Sequence, residues 1–448
     1  MKRFELLSVR RLARPRSRAD SAGPWRIAIR CLALMLLVAG CAKAGGEGRS
    51  ASPSTPSTVI LISLDGTRPA DLENGLPSLV ALGRRGLRAE ALVPVDPTNT
   101  FPNHVSLATG VRPEVHRLVN NGFVDPERGR YTQGDPPHEW IEAEPIWSIA
   151  ERGGVPAASF YWVGSEGPTK NGLAPRETRA FSSRTLERTK VDQILAWLAI
   201  DDPEKRPRLI TAWFHGADHA AHVEGPNAPS VAESLAPQDR EIARLVEALD
   251  AEGRFASTTL IFVSDHGMAR AAQRINLGSL LRKHGARAKV IGIGGFASIY
   301  AGPTRRDTRS LDRLVEIVRG AGLEAHRRSL APVDWHVGDV RFGDVVVRAP
   351  IGTAIVTPTS RIEGFHGYAA SEPSMAGILV AYGRGVQAGS RLGRVSSLSI
   401  APSVLTLLGL PVPAAMEAPV LSELTRIGSR ADAPRGRSGK RNEREAAQ

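Results

Sequence analysis

Asp65, Asp218, His222, Asp265, His266 and His366 are the side chains best suited by type and position to hold a metal, and five of the six follow short apolar runs. Asp65 closes the run Thr58–Leu64. Asp218 and His222, four residues apart, follow Leu209–Phe214. Asp265 and His266 follow a run ending at Val263, and His366 stands later, in Gly364-Phe365-His366-Gly367-Tyr368. Carboxylate oxygen and neutral imidazole suit zinc, and six such donors suffice for two sites with room left for substrate. Singly, each has a plainer reading, since aspartate often caps a helix and histidine is often a surface residue. Their shared place after apolar runs argues for a metal centre.

A hydroxyl completes the candidate chemistry. In Pro97-Thr98-Asn99-Thr100-Phe101-Pro102-Asn103-His104, Pro102 suits the first turn of a helix running through Leu107. Thr100 then lies beside a helix N-terminus, where backbone N–H groups and the dipole favour a phosphate. A threonine hydroxyl is a poor nucleophile unless a metal or base activates it; otherwise Thr100 reads as a helix cap.

The elements that would position these groups alternate. Thr58–Leu64 is continuously apolar, as in a strand covered on both faces. Strand-like runs recur at Ala157–Trp162, Leu209–Phe214 and Thr259–Val263, with helical patterns at Pro77–Arg85, Leu186–Ala199 and Gln238–Asp250. This order predicts an α/β fold with a doubly wound, mostly parallel sheet, which binds ligands at the C-terminal ends of its strands. The stretch 269–363 breaks the alternation and is expected to be an inserted cap that shapes the substrate pocket. It holds a Gly-broken apolar run at Val290–Tyr300, a helix at Thr308–Gly320 and a strand at Asp344–Arg348. Gly377–Tyr382 returns to the core, and Ala401–Leu408 is the last helix. No internal repeat is present.

In family order, Ile62-Ser63-Leu64-Asp65-Gly66, Thr100-Phe101-Pro102-Asn103-His104, Val119-Asn120-Asn121, Asp218-x-x-x-His222, Ser264-Asp265-His266-Gly267-Met268 and His366-Gly367-Tyr368 resemble the nucleotide pyrophosphatase/phosphodiesterase family of the alkaline phosphatase superfamily. The resemblance spans roughly Thr58 to Leu424. It implies an alkaline-phosphatase-type fold and a hydrolase of phosphodiester or pyrophosphate bonds with two zinc ions. Asp218, His222 and His366 would hold one zinc. Asp65, Asp265 and His266 would hold the other, together with Thr100 as the nucleophile that forms a phosphothreonine ester. Asn121 would contact a phosphoryl oxygen, and Phe101 would contact the substrate. A small phosphodiester or nucleotide-like molecule is the implied substrate.

Two departures from the family pattern concern specificity. Gly216-Ala217 precede Asp218 where many relatives have Glu-Pro, and no tyrosine lies between Val163 and His215 to pair with Phe101 around a base; Phe181 is the candidate substitute. Phosphonates and phosphomonoesters remain alternative substrates on the same scaffold, and a non-catalytic binding lipoprotein is the alternative of another class. The Cys-x-Pro-x-Arg context of sulfatases is absent. His104, His215 and His219 lie near donor positions but have no metal role in the pattern, and are read as supporting or structural.

The two ends bear on location. Residues 1–40 carry nine Lys/Arg against two acids, and residues 426–448 seven against three, so of the formal charge of +12 only about +1 belongs to 41–425. No broad nucleic-acid-binding surface is expected, and no obligate protein partner is inferred. The basic start and the apolar stretch Ile27–Gly40 end in Val38-Ala39-Gly40-Cys41, which resembles a bacterial lipobox. The expectation is a signal peptide over 1–40, a lipidated Cys41 and a tether over 41–57. Export would anchor the protein to the bacterial envelope, on its periplasmic or surface face. The catalytic domain would span 58–425 and a disordered basic tail 426–448. Cys31 and Cys41 are the only cysteines, so the exported domain holds neither a disulfide nor a cysteine ligand.

Overall fold

The computed structural model describes residues 57–426; the expected signal peptide, Cys41, the tether up to residue 56 and the tail from 427 lie outside the described residues. Twelve strands carry the argument. They are β1 (Thr58–Leu64), β2 (Leu87–Val93), β3 (Ala157–Phe160), β4 (Glu177–Arg179), β5 (Leu209–Phe214), β6 (Thr258–Val263), β7 (Ala288–Ile291), β8 (Phe296–Ala301), β9 (Glu324–Arg327), β10 (Val345–Arg348), β11 (Leu379–Gly383) and β12 (Ser390–Ser396).

Eight of them form the central sheet in the order β12-β2-β11-β6-β1-β5-β3-β4. Every neighbouring pair is parallel except those made by β11, which runs against both β6 and β2. The fold is thus α/β with a mostly parallel sheet, as the alternation predicts. β1 shows why its sequence is apolar throughout. Ile60, Ile62 and Leu64 pack on one face with Val191, Ile194, Leu235 and Ile242. Val59 and Leu61 pack on the other with Trp147, Ile400 and Val404. Each face is covered by helices, so both side-chain rows of the strand are buried.

In register, Leu64 pairs with Phe214 and Ser63 with Val263. The C-terminal ends of β5, β1 and β6 therefore stand side by side at the centre of the sheet. That is where the donors begin.

Three of the differences from the sequence reading bear on the fold. β3 stops at Phe160, two residues early, because Tyr161 takes a left-handed φ of 65° that no strand continues. The helix expected over Gln238–Asp250 runs Pro229–Ala251, with Pro237 inside it. The run Val290–Tyr300 is two antiparallel strands, β7 and β8, rather than one element.

The region 269–363 contains a four-stranded antiparallel sheet, β7-β8-β10-β9. Helices Leu277–Lys283 and Thr308–Arg319 pack on it, and Leu281, Val318, Val345 and Val347 share a core with Phe365 and Tyr368. The insert thereby supports the segment carrying His366. Gly295 N–H donates to His366 O at 2.9 Å, and Tyr368 Oη–H donates to Thr353 O at 3.0 Å. No helix among the described residues is long and apolar enough to cross a membrane.

Candidate active site

Asp65 and Asp218 meet because two glycines let their loops touch. Gly66 has φ 61° and a Cβ there would lie 2.9 Å from Asp218 Cα; Gly216 has φ 60° and a Cβ would lie 2.0 Å from Asp65 O. Only glycine tolerates both the left-handed backbone and this approach. Ala217 N and Asp218 N donate to Asp65 O, at 2.9 and 3.2 Å, and lock the two strand ends together. Asp218 opens the helix Asp218–Glu224, so His222 stands one turn on, its Nε2 3.4 Å from Asp218 Oδ1.

Each histidine donor is held in one tautomer by a carbonyl behind it. His222 Nδ1–H donates to Gly364 O at 2.7 Å, and His266 Nδ1–H to Gly267 O at 2.9 Å. His366 Nδ1–H is shared between Thr98 O at 3.0 Å and Asn99 Oδ1 at 2.9 Å. All three therefore turn an Nε2 lone pair inward, as metal-binding imidazoles do.

The carboxylates are prepared in the same way. Asp65 spends Oδ2 on Trp213 Nε1–H at 3.1 Å, and Asp265 spends Oδ1 on Gly66 N–H at 3.1 Å. Asp65 Oδ1, Asp218 Oδ1 and Asp265 Oδ2 are buried with no hydrogen-bond partner. Buried oxygens of this kind are costly unless something cationic meets them.

Electrostatics agree. Burial raises the Asp65 carboxyl well above its ordinary value, and repulsion from Asp265 and Asp218 adds to this. Burial also pushes on Asp265, but His266 and His104 beside it hold it below the carboxylate range. His366 is driven well below the imidazole range by burial, then by His266 and His222. Donor atoms of Asp65, Asp265 and His266 lie within 4.8 Å of one another, and so do those of Asp218, His266 and His366. The residues fit two divalent metals. His266 falls in both groups because they adjoin, though its one free lone pair can serve a single ion; His222 borders the second, its ring 5.0 Å from that of His366.

Thr100 is the first residue of the helix Thr100–Thr109 and is 7% exposed. Its Oγ1 lies 3.1 Å from His266 Nε2. The Asn103 amide braces the preceding loop, accepting Val95 N–H and donating to the carbonyls of Val95, Pro97 and Asn99. Asn121 Oδ1 accepts Phe101 N–H at 2.9 Å, which leaves Nδ2 as the donor it offers. Asn120 Oδ1 ties the segments together by accepting from Asn99 Nδ2 and Asn121 N.

A cavity of about 220 Å³ opens on Thr100, Asp65 and Asp218, and its other wall is Gln133, Phe181, Lys190, Trp213, Phe214, His215 and His219. None of these comes from 269–363, so the expectation that the insert shapes the pocket does not hold for this cavity. Phe181 stacks on Trp213 with centroids 5.3 Å apart and planes at 26°, while Phe101 meets the same indole edge-on at 6.4 Å. His104 is fully buried, with Nδ1 3.3 Å from Asp265 Oδ2 and 3.0 Å from Thr100 O, a supporting place as expected. Sequence reasoning missed Trp213, Lys190 and Glu187. A tryptophan next to the end of the apolar run that leads to Asp218 was the available signal for the first.

A family model described as type I phosphodiesterase / nucleotide pyrophosphatase matches residues 59–369. The chain belongs to that family. It is a hydrolase acting on phosphodiester bonds. An uncharacterized pyrophosphatase/phosphodiesterase of Schizosaccharomyces pombe is 30% identical over 398 residues, 82% of this chain and 80% of its own length. An ectonucleotide pyrophosphatase/phosphodiesterase of Caenorhabditis elegans is 29% identical over 74% of this chain, which spans only 44% of that protein. The fold is that of murine ectonucleotide pyrophosphatase/phosphodiesterase 5, solved as an inactive threonine-to-alanine form with AMP. The TM-score is 0.73 at 22% identity, over 80% of this chain and 96% of that one.

Proposed function

We propose that this family member is a two-zinc phosphodiesterase in which Thr100 attacks phosphorus and is transiently phosphorylated. The observation that carries the reading is Thr100 Oγ1 at 3.1 Å from Nε2 of His266, a residue that falls in both adjoining groups of metal donors. Zinc ions held by Asp65, Asp265, His266 and Thr100, and by Asp218, His222 and His366, would supply positive charge at the attacking and departing oxygens.

Thr100 Oγ forms its bond to phosphorus as the bond to the leaving oxygen breaks, giving a phosphothreonine ester. Water then attacks phosphorus, the bond to Thr100 Oγ breaks and the hydroxyl is restored. Asn121 Nδ2 donates to a non-bridging oxygen, and the first turn of the helix Thr100–Thr109 favours the phosphoryl charge.

Diesters are preferred over monoesters. Asn121 is neutral, and Lys190, the one lysine or arginine lining the cavity among the described residues, is already paired with Glu187 at 3.1 Å. A nucleotide-like substrate is supported by the aromatic wall of Phe101, Phe181 and Trp213, and by AMP in the murine relative. Phe181 then serves where relatives use tyrosine.

For location, the string Val38-Ala39-Gly40-Cys41 after a basic and apolar stretch supports lipidation of Cys41, loss of residues 1–40 and anchoring to the cell envelope. Cys41→Ser should release the protein from membranes or block its processing, and an intact N-terminus on the mature chain would refute the anchor.

The activity is tested with zinc analysis and chromogenic phosphodiesters, monoesters, phosphonates and sulfate esters. About two zinc per chain and diester turnover abolished by chelation are expected. Full activity after exhaustive chelation would refute the mechanism.

A further inference from the structure

Away from the metal donors, the cavity wall carries a second organised group. Glu187, in the first turn of the helix Glu187–Leu198, accepts three N–H bonds at Oε1: from His215 N at 3.0 Å, His215 Nδ1 at 2.7 Å and Lys190 Nζ at 3.1 Å. Lys190 also donates to Trp213 O at 2.9 Å and is 1% exposed. One carboxylate thus fixes the His215 backbone, its ring and the lysine beside it.

This is more fixation than a surface histidine needs. His215 is the first residue beyond β5, and its ring lines the cavity with Thr100, Phe181 and Trp213. Its Nε2 is buried and has no hydrogen-bond partner. Glu187 Oε1 is an acceptor only, and it lies 2.7 Å from Nδ1. The proton therefore sits on Nδ1, and Nε2 presents a lone pair.

We propose that His215 Nε2 is a specificity-determining acceptor that reads an N–H donor on the edge of a planar base held against Phe181 and Trp213. The inference rests on the phosphodiesterase reading given above. Glu187 is the positioning residue for His215, and a base edge without a donor leaves Nε2 unpaired when the cavity fills, which disfavours that substrate.

The test uses three p-nitrophenyl diesters: that of adenosine 5′-phosphate, that of purine riboside 5′-phosphate, which lacks the exocyclic amine, and methyl p-nitrophenyl phosphate, which lacks a base. Wild-type kcat/KM should favour the adenosine ester over the purine riboside ester about tenfold, expressed in KM. The factor is that of one neutral hydrogen bond, about a kcal/mol, gained by the adenosine ester alone. His215→Leu should bring that ratio to about one, and His215→Gln, which keeps an acceptor at similar reach, should restore part of it. Equal wild-type values for the two purine esters, or a fall in His215→Leu that is the same for all three substrates, overturns the role of His215 while leaving the phosphodiesterase standing. No turnover of any of the three by the zinc-loaded wild type would overturn the phosphodiesterase reading itself.

Discussion

Thr100 Oγ1 and His266 Nε2 stand 3.1 Å apart, which joins the first residue of a helix to the loop after β6. Because His266 donates its Nδ1–H to Gly267 O, the lone pair facing the hydroxyl is structurally imposed. His266 falls in both groups of metal donors, with Asp65 and Asp265 and with Asp218 and His366, because the two groups adjoin.

Loss of His266, whose single Nε2 lone pair can bind one ion, should therefore cost one metal and with it the activation of Thr100. His266→Ala, His222→Ala and His366→Ala are each expected to retain about one zinc per chain, with activity falling in all three. Elemental analysis of the purified variants checks this. About two zinc per chain in His266→Ala would show that His266 is not a ligand.

Asn121 acts without holding a metal. With Oδ1 bound to Phe101 N–H, only Nδ2 is offered to substrate. Asn121→Ala should lower kcat about 10²-fold on diesters while zinc content stays at the wild-type level. Unchanged kcat would remove Asn121 from the mechanism.

Gly216 carries the approach of Asp65 to Asp218. Gly216→Ala would place a Cβ 2.0 Å from Asp65 O at φ 60°, whereas a Cβ at Gly253, where φ is 63°, would meet nothing within 4 Å. Strain of roughly 1–3 kcal/mol is common to both, and the clash adds to it at Gly216 alone. Thermal unfolding should thus drop further for Gly216→Ala than for Gly253→Ala, with zinc lost only from the former.

Stability should also depend on pH through Glu187. Burial alone would raise its carboxyl, but the His215 hydrogen bond and the Lys190 charge hold it at about 2, below the ordinary 4.5. A depressed carboxylate contributes stability that is full above its unfolded value and is lost as pH falls through the folded value. Glu187→Gln should be less stable than wild type at pH 7, with the gap closing between about 4.5 and about 2. Urea midpoints across pH measure it, and a gap independent of pH would contradict the ionised pairing.

Much of this site is legible in the sequence because its donors follow apolar strands whose burial on both faces leaves a plain pattern. Asp65, Asp218 and Asp265 could be placed at one edge of the sheet from that pattern alone. The wall of Glu187, Lys190, Trp213 and His215 could not, since Glu187 and His215 lie 28 residues apart and meet only when β5 docks against the helix Glu187–Leu198. β2 and β12 escaped notice because Arg88, Glu90, Arg391 and Arg394 interrupt their apolar rows. The helix Pro229–Ala251 began nine residues before the expected start because Pro237, which reads as a break, is accommodated inside it.

The central claim is that phosphorus passes through Thr100. Quenching the zinc-loaded enzyme at low pH during turnover of a labelled diester, then mapping the label by mass spectrometry, tests it most directly. The account predicts a phosphoryl group on Thr100, partial turnover in Thr100→Ser, and nearly none in Thr100→Ala with both zinc ions retained. A label on any other residue, or wild-type turnover in Thr100→Ala, would contradict it.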